Sequence, residues 1–365
     1  MHTSLVFGEA PVPHDPAAWV ALRAKEGEAE ALTHADESHL ERVQPLIILD
    51  RATSVAGQLA HAERVARHLH NHDRVLAVDA SDVDPSAFRP TATLGELVDR
   101  LSYGVDLFDV GPPIPILPTL RECTSLRDAA DIGRLGEETG AGVALRIQLL
   151  AGRTVDIAGV VDALKVDPRT IDVVLDLGFV EAALAEHVDL VHAAVDVVRT
   201  TGPLRSIVLL GGSVPPQLSR LGRWHQDRHE EQLWQEISAQ HADVLFGDYG
   251  VVHPTPTKGW RPRNVAVRYA CPTGWTYWRR PIEEPDPAGA DDGSGDEPPR
   301  ARAFRELCRE LVDTDVFAGP DFSWGDRKLS NAARGNEKTL GRASRPVAFA
   351  TSHHLAHLAT MDRAA

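Results

Sequence analysis

Residues 171–212 read IDVVLDLGFVEAALAEHVDLVHAAVDVVRTTGPLRSIVLLGG. Ile171 to Gly178 is apolar apart from Asp172 and Asp176, and Ser206 to Gly212 is an almost unbroken apolar run. A strand with one wet face alternates apolar and polar residues. A parallel strand covered on both faces does not need to. Between the runs, residues 180–200 place Ala, Leu and Val at helical spacing, and Gly202-Pro203 ends the helix. The segment is therefore a β-α-β unit with parallel strands and a right-handed crossover.

The same rhythm extends outward in both directions. Further strand-like runs are Trp19 to Lys25, Val43 to Leu49, Val75 to Ser81, Ile114 to Thr119, Gly142 to Gln148 and Asp243 to Tyr249. Helical patterns lie between them. Residues 54–70 open on Ser54 as N-cap, and residues 124–138 open on Thr124 and Ser125 with Asp128 in the first turn. The fourth run carries prolines, which are unusual in a central strand. Eight units over residues 17–250 predict a closed (β/α)8 TIM-like barrel. An open doubly wound sheet is the alternative. It is disfavoured because no Gly-rich phosphate loop follows a strand.

Residues 251–365 break the rhythm and are read as a C-terminal extension packed on the barrel. Asn264 to Tyr269 and Trp275 to Arg279 predict a β-hairpin around Pro-Thr-Gly. Residues 281–300 are acidic, rich in Pro and Gly and poor in apolar groups, so a disordered loop is expected there. A helix is expected over 301–313.

Composition narrows the function classes. The 365 residues carry a net charge of −15, which opposes generalised binding to nucleic acid or to an anionic membrane. The three cysteines match neither a zinc spacing nor a disulfide framework. No apolar run approaches the roughly 20 residues that span a bilayer. The first residues lack the basic and apolar regions of a signal peptide. A cytoplasmic location is expected.

Six stretches carry a resemblance: LRAKEGEAEAL (22–32), PLI (45–47), FGDYGVVHP (246–254), VRYACPTGWTYWRR (267–280), FAGPDFSWGD (317–326) and HHLAHLA (353–359). Together they resemble the beta protein family, which is named for a phage T4 protein and is common in bacterial genomes. The likeness runs over about residues 18–360. The chain departs from the pattern where Arg342 to Arg345 replace an expected tryptophan, and in the length of its acidic insert. The resemblance implies a fold and a site map but supplies no reaction. A phage- or defence-related partner is what it would imply.

In a (β/α)8 barrel, chemistry sits at the C-terminal ends of the strands. Lys25 and Glu28 fall there, as a charge-tuned pair or as a surface lysine beside a carboxylate favoured by the helix dipole. The resemblance strengthens the first account. Asp248 and Tyr249 end the eighth run and His253 follows. Asp248 suits a general base or a cation ligand, or else a loop cap. Arg146, with Gln148 near it, either pairs with Asp176 on the next strand or clamps substrate. Ser213 suits an anion contact or a plain turn. Arg268, Tyr269, Trp278 and Arg279 suit a phosphate, a carboxylate or a base, or a hairpin of stacked, solvated arginines.

Asp326 is a second acidic candidate. His353, His354 and His357 suit acid–base work or phosphate contact. The i, i+4 pair His353 and His357 has metal-ligand spacing, but there is no HExxH glutamate, and 17 histidines make chance spacing easy. No cofactor or metal is assigned. No GxSxG elbow and no Walker loop is present. These residues lead to an enzyme of hydrolase or phosphoester-cleaving type acting on an anionic substrate. Asp248 or Asp326 would be base, and His353 or His354 proton donor. The alternatives are a non-catalytic module binding a nucleotide, peptide or nucleic-acid end, and a scaffold.

Overall fold

A computed structural model describes residues 16–51, 53–83, 89–102, 114–121, 125–151, 156–256, 263–283 and 297–361. The barrel strands are β1 (Ala18–Arg23), β2 (Val43–Ile48), β3 (Leu76–Asp79), β4 (Ile116–Arg121), β5 (Val143–Gln148), β6 (Ile171–Phe179), β7 (Ser206–Gly212) and β9 (Val244–Asp248). They close in that order into an all-parallel barrel, with β9 pairing β1 through Ala18 and Phe246. Between them run α1 (Glu26–Thr33), α2 (Glu37–Leu40), α3 (Val55–His70), α4 (Pro90–Ser102), α5 (Leu126–Thr139), α6 (Ile157–Leu164), α7 (Ala185–Arg199) and α8 (His229–Ser238). The expected (β/α)8 fold is the one found.

One strand was not read from sequence. β8 (Gly222–Gln226) leaves the barrel rhythm after β7 and pairs antiparallel with β11 (Gly274–Pro281), which pairs with β10 (Asn264–Cys271). The expected hairpin is thus a three-stranded sheet that recruits a strand from within the barrel segment. GRWHQ carries one large apolar residue among polar ones, so no period-2 signal marked it. α9 (Pro299–Val312), α10 (Trp324–Ala333) and α11 (Arg345–Ala359) complete the extension. Most of the acidic stretch, residues 284–296, lies outside the described residues, as does Thr124. Ser125 caps α5 by accepting from the Asp128 N–H.

The fourth strand begins and ends two residues later than expected. Its Pro118 pairs with β3 but precedes Thr119–Arg121, the stretch paired with β5. Pro45 of β2 likewise precedes the rungs to β3. Each proline sits where only one ladder has formed, so its missing N–H breaks no rung on the other side.

Alternation along the strands fixes the inside of the barrel. Ala21, Leu46, Ala77, Leu117, Ala144 and Val174 fill its lower part. Most of the same-face positions toward the C-terminal end are charged, namely Arg23, Asp79, Arg146, Asp176 and, one step further on, Arg121, while Ile48 and Thr119 are not. Arg146 Nη1 lies 2.6 Å from Asp79, and its Nη2 lies 2.8 Å from Asp176. All three are buried. Removing the cation leaves two carboxylates in a dry interior. Arg146→Met should destabilise the fold by about 3–5 kcal/mol in urea unfolding. A loss below about 1 kcal/mol would mean that solvent reaches the layer.

Candidate functional site

The turn from β1 into α1 builds one wall of the barrel mouth. Lys25 is the N-cap residue of α1, and Glu28 lies in the first turn, where the helix dipole favours its charge. Burial acts against that charge and dominates. It pushes the Glu28 carboxyl up from its ordinary 4.5 to about 7, against its own backbone N–H and the nearby Lys25 and Arg23, while Asp50 pushes the same way as burial. The burial follows from close helix packing. A Cβ on Gly27 would stand 2.9 Å from the Ser344 carbonyl oxygen, so α1 and α11 touch through the glycine. Lys25 stays partly exposed and lies 3.8 Å from Asp50. Arg23 is buried. One of its amino groups donates to the Pro254 carbonyl, and Nη1 meets no acceptor among the described residues.

The floor of the mouth is satisfied. Arg146 Nε donates to Asp176 at 2.9 Å and Nη2 to the Tyr249 hydroxyl at 3.0 Å. Tyr249 in turn donates to Asp176 at 2.7 Å. Burial and the neighbouring carboxylate hold the Tyr249 hydroxyl protonated. Gln148 stands opposite Asp176 in the ladder. Arg146 is thus the paired residue that the plainer account expected.

The late histidines point two ways. His354 Nε2 lies 2.7 Å from Asp248, and Arg228 Nη2 reaches the same carboxylate oxygen at 2.9 Å. Burial pushes Asp248 up, but His354 and Arg228 more than offset it and leave its carboxyl below the ordinary range. Burial also lowers His354, outweighing the pull of Asp248, so the ring is neutral. His357 accepts from Arg228 at 3.0 Å. The next residue along the helix, His353, turns to the extension. Its Nδ1 lies 2.9 Å from Asp326 and its Nε2 lies 2.9 Å from the Ala270 carbonyl. Tyr269 donates to Asp326 at 2.6 Å, and Ser323 caps α10 from the same cluster.

Two buried aspartate–histidine pairs therefore occur among the described residues, on different faces of α11. They fasten the extension: Asp326–His353 within itself and Asp248–His354 to the barrel. His353 and His357 are each committed elsewhere, and no metal-holding group of three His, Cys, Asp or Glu occurs among the described residues.

The three-stranded sheet has two faces. Val267, Tyr269 and Trp278 face outward and pack on α9, α10 and α11. Arg268, Tyr277 and Arg279 alternate to the other face, where Trp224 of β8 stacks on Tyr277 with ring centroids 5.0 Å apart. That face packs on Val214 and Val251, which follow β7 and β9, so it lies over the mouth. Arg268 feels the Glu28 charge. His253 lies at the same rim, bonded to the Val214 carbonyl at 2.9 Å, and Ser213 is buried nearby in sequence with its hydroxyl unpartnered among the described residues.

A family model described as Beta protein matches residues 20–360. The chain belongs to the Beta protein family. No curated protein matches it. Within this family member, Lys25 and Glu28 lie at the mouth, Arg268 is near enough to feel the Glu28 charge, and Arg279 shares the sheet face of Arg268. Tyr269, Trp278, Asp326 and His353 are placed on the far side of the sheet. Arg23 and Asp79 were legible as the next inward residues of their strands. Trp224 and Arg228 carried no comparable signal, since β8 itself was hidden, whereas Tyr277 lies within the expected strand Trp275 to Arg279 and was not singled out.

Glu28 gives the fold a pH signature. Between pH 4.5 and about 7 the folded chain keeps a proton that the unfolded chain has released. Stability therefore falls as pH rises through that window, by about 3 kcal/mol in total. Glu28→Gln should flatten this slope in urea titrations and raise stability at pH 8. An unchanged slope would place the titration on another group.

Proposed function

We propose that this protein is an enzyme whose active site is the barrel mouth, acting on a small anionic substrate by proton transfer through Glu28. The observation that carries this is a buried carboxyl raised to about 7 beside a cation, Arg23, whose Nη1 meets no acceptor among the described residues. A group poised near pH 7 both gives and takes protons there, which is what general acid–base catalysis needs. Lys25 and Arg23 hold substrate charge. Asp248 and His354, buried in the clasp with Arg228, act as positioning residues because they fix α11 against α1 and so keep Glu28 dry. Hydrolysis, with phosphoester cleavage foremost, is the reaction class that fits a single proton-transferring carboxyl among cations.

The aromatic and cationic inner face of the sheet supports a second reading, in which the mouth binds a nucleotide or another anion without turnover. The two readings part at Glu28. Under the first, a screen of phosphate and carboxylate esters finds turnover whose kcat/KM inflects near pH 7. Glu28→Gln then lowers kcat about 100-fold or more while the protein stays folded. A Glu28 carboxyl titrating below pH 5 in carbon-detected NMR would remove the acid–base role and leave the binding reading.

A further inference from the structure

We propose that the inner face of the three-stranded sheet is the seat of a phosphate group, so that the substrate class of the mouth is a phosphate monoester. This deepens the anionic-substrate reading above and rests on it.

The argument starts from charge pairing. In this acidic chain several buried and half-buried arginines are answered by carboxylates, although buried Arg23 has the Pro254 carbonyl instead. Arg146 has Asp79 and Asp176, Arg228 has Asp248 and Glu230, and Arg205 has Asp172. On the outer face of the same sheet, Arg280 is held by Glu306 and Glu310. Arg268 and Arg279 on the inner face have no hydrogen-bonded or ion-paired carboxylate among the described residues, and the buried Nε of Arg268 has no acceptor there.

Register brings the pair together. Arg268 stands opposite Tyr277, and Arg279 lies two residues further along β11, so the arginines are diagonal neighbours on one face. Long side chains reach each other across such a diagonal. Between them is Tyr277, wholly buried, whose hydroxyl has no hydrogen-bond partner among the described residues. Burial raises its pKa above the ordinary value, so the hydroxyl is a donor waiting for an acceptor. A buried donor left unanswered is costly, so water or a ligand must meet it, and here two such groups, Arg268 Nε and the Tyr277 hydroxyl, lie on one face.

The chemistry of the donors selects the ligand. Two guanidinium groups offer donors only, and the protonated Tyr277 hydroxyl adds one more, so an oxyanion rich in acceptors suits the set. A carboxylate would neutralise one arginine and leave the other bare. A phosphate monoester carries close to two negative charges at neutral pH and three free oxygens, and planar guanidinium groups bind such oxygens in pairs. Its organic part would then lie toward Trp224, which continues the row from Arg268 through Tyr277 across the sheet.

Calorimetric titration of the full chain with phenyl phosphate, and with benzoate as the carboxylate of similar size, tests this. Phenyl phosphate should bind at least tenfold more tightly than benzoate. Its affinity should rise as pH passes the second phosphate ionisation near 6. Arg268→Gln and Arg279→Gln should each weaken phenyl phosphate at least tenfold, and Tyr277→Phe several-fold. Arg280→Gln, on the opposite face, should leave binding unchanged. Arg279 is only half-buried, so its variant keeps the test valid if Arg268→Gln unfolds.

Equal affinity for benzoate, or full phenyl phosphate binding in Arg279→Gln, would overturn the phosphate seat. Glu28→Gln separates this proposal from the one it rests on. Phosphate binding that persists in a variant with no loss of turnover would defeat the role of Glu28 and spare the seat. Loss of turnover in that variant, with no phosphate preference in the parent chain, would do the reverse.

Discussion

The carboxylate of Asp248 is the joint on which the rest of the molecule turns. It ends the last barrel strand, accepts from Arg228 just before α8, meets His354 on α11 and takes the Gly250 N–H at 2.9 Å. Such a group is stable out of water only when every lone pair is answered. Here a full cation, a neutral imidazole and a backbone amide answer it. Because the three partners come from different elements, satisfying one charge also fixes where α11 lies. The position of α11 decides how closely α1 is covered and how the sheet sits over the mouth.

Burial has opposite consequences at the two ends of this arrangement. Asp248 is surrounded by donors, so its charge is retained. Glu28 is equally dry but has fewer close partners, and its carboxyl drifts toward neutrality. The same low-dielectric environment thus makes one carboxylate a fastening and the other a proton store. The paired floor of Arg146, Asp79, Asp176 and Tyr249 belongs with the first kind, and the inner face of the sheet with the second. Retained charge and raised pKa are divided between neighbouring groups by how completely each is hydrogen-bonded.

Much of the barrel could be read from the chain because buried parallel strands and amphipathic helices leave periodic signals. The run IDVVLDLG with its following helix admits few other folds. The charged upper layer was also legible in principle, since Arg23 and Asp79 lie two residues beyond apolar inward positions. The extension was harder. β8 forms because β11 offers it a free edge, a cause that lies about fifty residues away in the sequence and leaves no local pattern. The histidine pairs show a different limit. Sequence brought Asp248, Asp326, His353 and His354 forward as reactive groups. Which of them face solvent, substrate or one another depends on the rotation of α11, which spacing does not encode. Consecutive histidines on a helix point about 100° apart, and here that angle sends one to the barrel and one to the extension.

The dependence of the mouth on this clasp is tested most directly by measuring the Glu28 carboxyl pKa, by carbon-detected NMR, in His354→Ala. With the clasp opened, water should reach the β1–α1 turn, and the pKa should fall from about 7 toward the ordinary 4.5 while the barrel stays folded. A Glu28 pKa that stays near 7 in that variant would contradict the account, since the environment of the carboxyl would then owe nothing to the Asp248–His354 joint.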